Sequence, residues 1–334
     1  MDHPGKAVVI AVDAMGGDHG PQVVVPGVLA ALRRQPACSV ALYGDAAAIE
    51  PHLVMEPGED LAVTVVPCSQ NISMSESPAA AIRGKPDSPI VKAMKDQAAG
   101  KVQAVVSAGS TGAMVAASLL ILGRLASVDR PAIGTLIPTV NAHLLLLDAG
   151  ANVQCTPEHL LSFARMGHVF GREILDLASP RVGLLNIGEE ESKGNDLTTA
   201  AHKLFRTAPF DFVGNVESNH LLQGQADIVV TDGFTGNMVL KLLEGFGLYL
   251  AGLAKNERVP AEERQALLPA LAILEKRFSY ENYGGALLLG IEGVSIISHG
   301  RSTSRAITNA VVTAVRQVAI GLPQKLQIEL GRTS

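Results

Sequence analysis

The fold is decided first by Ala7-Val8-Val9-Ile10-Ala11-Val12-Asp13-Ala14, a run in which nearly every side chain is apolar. Polar and apolar residues do not alternate in this run, which predicts a strand that is covered on both faces of a sheet. Six more such runs are separated by amphipathic stretches: Ser39–Gly44, Leu61–Pro67, Gln103–Ala108, Leu144–Ala149, Val182–Ile187 and Asp227–Thr231. Strands that alternate with helices in this way predict a doubly wound α/β fold with a mostly parallel sheet.

Two helix starts can also be recognised. Thr156 precedes Pro157 and Glu158, which predicts an N-cap, a proline at the first helical position and an acidic first turn. Ser302 or Thr303 is expected to begin a terminal helix in a similar way.

One segment interrupts the alternation of strands and helices. Thr235–Asn256 and Ala261–Phe278 predict two consecutive helices with no strand between them. We expect a helical hairpin over residues 235–278, inserted in a single α/β catalytic domain that covers residues 1–334.

Composition excludes several classes of protein. The 334 residues carry a formal net charge of −5, whereas a general nucleic-acid binder would carry a basic face. Cys38, Cys68 and Cys155 are odd in number and far apart, so neither a disulfide framework nor a structural zinc site is indicated, and a reducing cytosol fits best. The spacing of histidines and acids suggests no metal site either.

The sequence does not predict a membrane-spanning segment. Its N-terminus lacks the pattern of a signal peptide, and apolar stretches such as Gly112–Gly123 are shorter than the ~20 residues that cross a bilayer. We therefore expect a protein that can lie on a membrane but does not cross it.

In open parallel sheets ligands bind beyond the carboxyl ends of the strands, so the loops after the apolar runs are the candidate sites. The first loop runs from Asp13 to Pro21 and includes Gly17 and His19 in a turn that can approach a ligand. The alternative is a tight turn in which Asp18 caps the next helix.

The second candidate loop is Ser107–Ala113. Its small residues between Gly109 and Gly112 let backbone N–H groups at a helix start face an anion, and the hydroxyls of Ser110 and Thr111 add donors, which favours phosphate. The loop is not a Walker A motif, and no GxGxxG occurs in the chain, so ATP and NAD are disfavoured. An ordinary serine or threonine N-cap is the alternative.

Two more loops carry polar groups after strands. Lys193, next to Gly194 and Asn195, could hold phosphate or polarise a carbonyl, whereas Glu189–Glu191 is interpreted as a solvated face. Amide side chains at Asn237, after the last run, and at Asn219, after the preceding run Phe210–Gly214, could donate to the oxygen of a thioester. The alternative for this last loop, with Asp232 and Thr235, is ordinary turn chemistry.

At these loops the sequence resembles the phosphate acyltransferases of bacterial phospholipid synthesis, which transfer an acyl group from acyl-acyl carrier protein to phosphate. The matching motifs occur in order over nearly the whole chain: Ile10–Asp18, Val106–Ala113, Leu147–Asn152, Asn186–Glu190, Lys193–Asn195 and Thr231–Asn237. Any one of these motifs is weak, but the ordered series is specific.

The resemblance implies a Rossmann-like α/β/α sandwich related to phosphotransacetylases and isocitrate-type dehydrogenases. It also implies a homodimer, acyl carrier protein as donor, and peripheral attachment to the cytoplasmic face of the membrane, with the downstream glycerol-phosphate acyltransferase as a further partner. We expect no cofactor. Lys193, Asn219 and Asn237 are the catalytic residues that it implies. The residues expected to bind substrate are Asp13, Gly17, His19, Gly109, Ser110, Thr111, Gly112, Asn195, Asp232 and Thr235.

Phosphate is a competent nucleophile at neutral pH, so the enzyme has to hold it against the thioester and stabilise the oxyanion. We expect Lys193 to bind the phosphate charge and both asparagines to position the substrates and donate to the oxyanion. The rivals are a phosphotransacetylase that uses acyl-coenzyme A and a non-catalytic scaffold that binds carrier protein. A thiolase-like intermediate on Cys155, next to a helix start, is an alternative mechanism.

The hairpin is the candidate surface for partners. An acidic carrier protein needs basic residues, and Arg258, Arg264, Lys276 and Arg277 are candidates, with solvated helix charges as the alternative. Five apolar residues predict dimer contacts and a membrane-facing tip: Leu267, Leu268, Leu271, Ile273 and Leu274. Burial of these side chains against the other helix of the hairpin explains most of them equally well.

Overall fold

The computed structural model describes residues 8–278 and 284–331. Its strands are β1 (Val8–Asp13), β2 (Cys38–Gly44), β3 (Val63–Pro67), β4 (Ala104–Ser107), β5 (Ala132–Pro138), β6 (His143–Leu147), β7 (Arg181–Asn186), β8 (Asp211–Glu217), β9 (Ile228–Val230), β10 (Ala286–Leu289) and β11 (Val294–Ile297). Its α-helices are α1 (Pro21–Arg34), α2 (Ala46–Ile49), α3 (Pro78–Gly84), α4 (Pro89–Ala98), α5 (Thr111–Ala117), α6 (Pro157–Glu173), α7 (Asp196–Phe205), α8 (Gly233–Lys255), α9 (Ala261–Phe278), α10 (Ser304–Ile320) and α11 (Leu322–Gly331). Short 3₁₀ turns lie at Glu50–His52 and Ser218–Gln223, and a π-helical turn at Ser118–Leu122.

All seven predicted strands are confirmed, with ends that differ by two residues at most. Ala7 lies outside the described residues. The predictions missed three strands, β5, β10 and β11, and the run Phe210–Gly214 covers only the first part of β8. β10 and β11 have only four residues each, and β8 begins with residues that alternate between exposed and half-buried, so these strands do not resemble the long buried runs.

The contacts divide the chain into two compact units, Met1–Pro131 with Glu281–Ser334, and Ala132–Tyr280. The strand order in the first unit is β3-β2-β1-β4-β11-β10, where β10 and β11 pair antiparallel and the other described pairs are parallel. The order in the second unit is β5-β6-β9-β7-β8, where β5 and β6 pair antiparallel and the other described pairs are parallel. The α/β class and the mostly parallel pairing are therefore confirmed. Folding as a single domain stays a prediction.

The strand order determines which loops meet. In the first unit β1, β4 and β11 are parallel neighbours, so the loops after these strands share one edge of the sheet. In the second unit β6, β9, β7 and β8 are parallel neighbours, and their following loops share an edge in the same way. Both edges carry candidate residues.

The predicted helix starts and the hairpin are also found. Thr156 caps α6 in a capping box with His159, and Thr303 caps α10. The hairpin consists of α8 and α9 with no strand between them. α8 begins two residues earlier than predicted because Asp232 is its N-cap.

The helix α8 has one face on the protein and another face exposed. Val239, Leu240 and Leu243 pack against the buried core of the second unit. Six large apolar side chains on the same helix are exposed: Phe234, Met238, Leu242, Phe246, Leu248 and Tyr249. With 23 residues, α8 is long and apolar enough to cross a membrane by length and composition alone, and it is longer than the stretch Gly112–Gly123 noted from the sequence.

Candidate active site

In the first unit, the loops after β1 and β4 are joined through Asp13 and Ser107. Asp13 is buried, and its Oδ2 accepts a hydrogen bond of 2.7 Å from Ser107 Oγ while its Oδ1 accepts one of 3.1 Å from the backbone N–H of Met15. Ser107 Oγ in turn accepts a hydrogen bond of 2.9 Å from Gly109 N. Both carboxylate oxygens of Asp13 therefore already have protein donors, and the carboxylate sets the start of the Gly109–Gly112 turn.

The same loops approach so closely that a side chain does not fit at Gly16. A Cβ there would lie 2.7 Å from Gly109 N and 2.9 Å from Asp13 Oδ2. Gly17 has a φ of +87°, and a Cβ on it would lie 3.0 Å from the carbonyl oxygen of Gly300. These two glycines bring the backbones of three loops together.

The alternative for the first loop, with Asp18 as a helix cap, is wrong. Gly20 is the N-cap of α1, and among the described residues no side chain accepts a hydrogen bond from the start of this helix. Asp18 instead donates its backbone N–H to Gly300 O at 2.8 Å. The side chains of Asp18 and His19 are exposed at this edge.

The N-cap alternative for the second loop accounts for one of its hydroxyls. Ser110 Oγ accepts a hydrogen bond of 3.3 Å from Ala113 N at the start of α5. Thr111 and Gly112, in the first turn, are exposed to solvent. Phosphate binding by this turn stays a prediction.

Sequence reasoning missed a third loop of the first unit, Ser298–Thr303. It follows β11 directly, and Ser298 N donates to Ser107 O at 2.8 Å, which ties the loop to the second one. The loop carries His299 and Arg301, both exposed. The available signal was a short apolar run, Val294–Ile297, followed by polar residues and a helix start.

In the second unit, Lys193 lies in the loop between β7 and α7 and is exposed. Two hydrogen bonds fix the backbone of this loop: Asn186 Nδ2 donates to Lys193 O at 3.0 Å, and Lys193 N donates to Glu190 O at 3.0 Å. Gly194 has a φ of +108°, and a Cβ on it would overlap the hydroxyl of Thr198. Within the described ranges no acid pairs with the ammonium of Lys193, so its charge can meet an anion.

Asn195 is the N-cap of α7. Its Oδ1 accepts a hydrogen bond of 2.9 Å from Thr198 N, and Thr198 Oγ1 accepts one of 3.0 Å from Asn195 N. This capping box accounts for the Asn195 side chain, and contact with a substrate stays a prediction.

Asn219 lies in the 3₁₀ turn after β8 and is exposed. Its neighbour His220 has Nδ1 3.1 Å from Glu189 Oε1, and Glu191 forms a 2.8 Å ion pair with Arg206. Glu191 thus forms a surface ion pair and Glu189 contacts a histidine, in keeping with the solvated face expected for these glutamates.

Asp232 and Thr235 are engaged with each other at the start of α8. Asp232 Oδ1 accepts from Thr235 N at 2.9 Å, and its Oδ2 accepts from Thr235 Oγ1 at 2.8 Å. Turn chemistry therefore accounts for both side chains. Asn237, two residues later, is exposed, and a Cβ on Gly150 would lie 3.7 Å from the Cβ of Asn237.

The three predicted catalytic residues follow three adjacent strands. β9 pairs with β7, and β7 pairs with β8, all parallel. Asn237, Lys193 and Asn219 therefore extend from one edge of the second unit's sheet. This edge combines a cation with two amide groups that can donate hydrogen bonds, as binding an anion beside a polarised carbonyl requires.

Cys155 lies in the loop before α6. Its Sγ donates a hydrogen bond of 3.6 Å to the carbonyl oxygen of Asn152, and the residue is half-buried. In the part of the chain that the structure describes, no three histidine, cysteine, aspartate or glutamate side chains come together as metal ligands would.

Sequence comparisons match nearly the whole chain. A family model described as fatty acid synthesis protein matches residues 8–325. A phosphate acyltransferase of Moorella thermoacetica is 47% identical over 318 residues, which cover 94% of this chain and 93% of that protein. One of Heliobacterium modesticaldum is 48% identical over 310 residues, which cover 91% and 92%.

A solved structure supports the fold. A phosphotransacetylase from Streptococcus pyogenes superposes with a TM-score of 0.61 over 94% of this chain and 95% of that protein, at 15% sequence identity. The expected relation to the phosphotransacetylase fold is thereby confirmed.

Proposed function

The chain belongs to the phosphate acyltransferase family, and we propose that it transfers a long-chain fatty acyl group from acyl carrier protein to inorganic phosphate. The product would be an acyl phosphate for phospholipid synthesis. Membership of this family identifies the protein as an acyltransferase. The acyl donor, the length of the acyl chain and the roles of the residues are what we propose.

One observation carries the assignment of the site. Lys193, Asn219 and Asn237 follow three adjacent parallel strands of the second unit, and all three are exposed. The Lys193 ammonium supplies the charge that phosphate needs, and the two amides supply neutral donors that do not titrate.

The reaction needs no covalent relay. A phosphate oxygen attacks the thioester carbonyl carbon, which forms a C–O bond and places negative charge on the carbonyl oxygen. Asn219 and Asn237 donate to this oxyanion, while Lys193 holds the phosphate in line with the carbonyl. When the tetrahedral species collapses, the C–S bond breaks and the carrier leaves as a thiolate that takes a proton from solvent.

The hairpin supports the proposals of a homodimer and of peripheral attachment to the cytoplasmic face of the membrane. The apolar face of α8 is exposed in the single chain, and Leu242 is 74% exposed. Of the five apolar residues singled out on α9, Leu268 and Ile273 are exposed, whereas the other three are half-buried. Burial against the other helix of the hairpin remains the alternative for those three, and the two exposed ones are available to a partner or a lipid surface.

Three of the four basic residues of the hairpin, Arg258, Lys276 and Arg277, are exposed, and Arg264 is half-buried. Arg277 donates a hydrogen bond of 3.0 Å to Val140 O, so it fastens the end of α9 to the turn after β5. Arg258 and Lys276 are exposed and are the proposed contributors to the surface for the acidic carrier protein. Acyl phosphate released at the membrane would supply the downstream glycerol-phosphate acyltransferase.

The test is an assay of acyl-acyl carrier protein and acyl-coenzyme A of the same chain length, each with and without phosphate. The proposal requires phosphate-dependent acyl phosphate from the carrier-bound donor at much higher kcat/KM. Preference for acyl-coenzyme A would favour the phosphotransacetylase rival. Binding of carrier protein without turnover of either donor would favour the scaffold.

A further inference from the structure

The buried carboxylate of Asp148, at the end of β6, organises the loop that follows. It is fully buried, and its Oδ1 accepts hydrogen bonds from the backbone N–H groups of Ile133, Gly150 and Ala151 at 2.9, 3.1 and 3.0 Å. Its Oδ2 accepts from Asn152 N at 2.7 Å and from Asn152 Nδ2 at 2.9 Å. Five donors on one carboxylate define the path of residues 148–152.

This loop in turn sets the start of α8. Gly233 N donates to Asn152 O at 2.7 Å. A Cβ on Gly233 would lie 2.8 Å from Asp148 Oδ2, and a Cβ on Gly236 would overlap the carbonyl oxygen of Asp148. The first turn of α8 therefore rests directly on the backbone and the carboxylate of Asp148, and any movement of the loop moves this turn.

Asn237 is the next residue after Gly236. Its side chain lies beside Gly150, where an added Cβ would be 3.7 to 3.9 Å from the Asn237 Cβ, Oδ1 and Cγ atoms. Gly150 itself has a φ of +143° and donates its N–H to Asp148. The loop thus affects Asn237 in two ways. It supports the first turn of α8, which leads to Asn237, and its Gly150 lies beside the Asn237 side chain.

We propose that Asp148 is a positioning residue for Asn237: its carboxylate holds residues 148–152 in the shape that aims the Asn237 amide at the reacting carbonyl. This inference rests on the proposed function, because it takes Asn237 to be an oxyanion donor. Asp148 itself has all its oxygen contacts inside the protein and does not touch substrate.

The test is Asp148→Asn, which keeps the size of the side chain and replaces one acceptor oxygen with an NH₂ group. Whichever way the amide turns, at least two of the five donors lose their acceptor. Since a displacement of about 1 Å at an oxyanion donor costs roughly 10²-fold, we expect kcat to fall by about that factor. KM for phosphate, which depends on Lys193, should change little.

A double-mutant cycle separates positioning from general loss of structure. If Asp148 acts through Asn237, the variant Asp148→Asn with Asn237→Ala should have the kcat of Asn237→Ala alone, within about 2-fold. The inference would be overturned if the fold losses of kcat in the two single variants multiplied in the double variant. So would a rise in the KM for phosphate equal to the loss of kcat.

Asp227→Asn is the matched control. Asp227 also accepts several hydrogen bonds, from Arg181 N, Nε and Nη2 at 2.9, 3.1 and 2.8 Å, but it precedes β9 instead of following β6. It lies at the opposite end of the sheet, so kcat should remain normal. If Asp148→Asn does not fold, Asn152→Ala removes one of the five donors to the Asp148 carboxylate, and it should give a smaller loss of kcat that disappears in the Asn237→Ala background.

The outcomes for the two proposals differ. Absence of phosphate-dependent transfer by the unaltered protein would contradict the proposed function. Transfer that is impaired in Asn237→Ala but normal in Asp148→Asn and Asn152→Ala would overturn only the positioning role. Normal turnover in Asn237→Ala would remove both residues from the mechanism while leaving the reaction in place.

Discussion

Ser107 Oγ donates a hydrogen bond of 2.7 Å to Oδ2 of Asp13, and both residues are buried. Burial raises the pKa of Asp13 from its ordinary value of 3.8 to about 6, although the hydrogen bonds from Ser107, Met15 and Gly16 oppose this shift. The folded protein therefore binds this proton more tightly than the unfolded chain does. The resulting contribution to stability is complete below pH 3.8 and is lost as the pH rises through about 6.

Asp13→Asn removes this titration and gives the first prediction. The free energy of unfolding of the unaltered protein, relative to that of the variant, should fall by up to about 3 kcal/mol between about pH 4 and pH 7. Urea denaturation of both proteins across this range measures the difference. A difference that stays constant with pH would show that Asp13 titrates normally.

Lys193→Ala should weaken the use of phosphate far more than the binding of the thioester, because the ammonium meets only the phosphate. Loss of a hydrogen bond to a charged group costs about 1.5 to 3 kcal/mol, so KM for phosphate should rise at least about 10-fold. Steady-state kinetics with each substrate varied in turn measures the two effects. Lys203→Ala, an exposed lysine in the last turn of α7, is the control and should behave normally.

Asn219→Ala and Asn237→Ala should each lower turnover by roughly 10²- to 10³-fold, because each removes one donor to the oxyanion. The measurement is kcat at saturating phosphate and donor, with circular dichroism to establish folding. Asn256→Ala, at the far end of α8, is the matched control. Folded variants that retain near-normal rates would place these asparagines outside the active site.

The hairpin prediction concerns membrane attachment. Leu268→Gln together with Ile273→Gln should release the protein from lipid vesicles, since both side chains are exposed and apolar, and activity on soluble donor should be unaffected. Vesicle sedimentation measures binding. Ile328→Gln, an equally exposed position on α11, is the control and should leave vesicle binding intact. Vesicle binding that survives the double substitution would refute the assignment of α9.

Direct attack by phosphate predicts that no acyl-enzyme forms. The Cys155 thiol donates a hydrogen bond to the backbone carbonyl oxygen of Asn152. Because direct attack assigns this thiol no role in the chemistry, Cys155→Ala should retain full activity. Enzyme incubated with acyl-acyl carrier protein and trapped with hydroxylamine should yield hydroxamate only when phosphate is present. A trapped acyl group on the protein, or exchange of labelled carrier into the thioester without phosphate, would overturn the mechanism and leave the overall reaction standing.

Most of the fold could be predicted because its signals are local. The seven buried runs are continuous and apolar, and the caps at Thr156 and Thr303 depend on residues within one turn of each helix. β10 and β11 could not be recognised because four apolar residues are too few to distinguish a strand from a loop. The His299 and Arg301 loop was missed with them.

The apolar runs of the sequence are sufficient to predict that Lys193, Asn219 and Asn237 lie in loops that follow strands. They do not predict that β9 lies between β6 and β7, an order that brings residues 148–152 under the first turn of α8. Nor do they predict that the side-chain oxygens of Asp13, Asp232 and Asn195 accept hydrogen bonds from donors within the protein. Strand order and hydrogen-bond partners depend on packing between residues that are distant along the chain, and a local pattern of residue types carries no information about that packing.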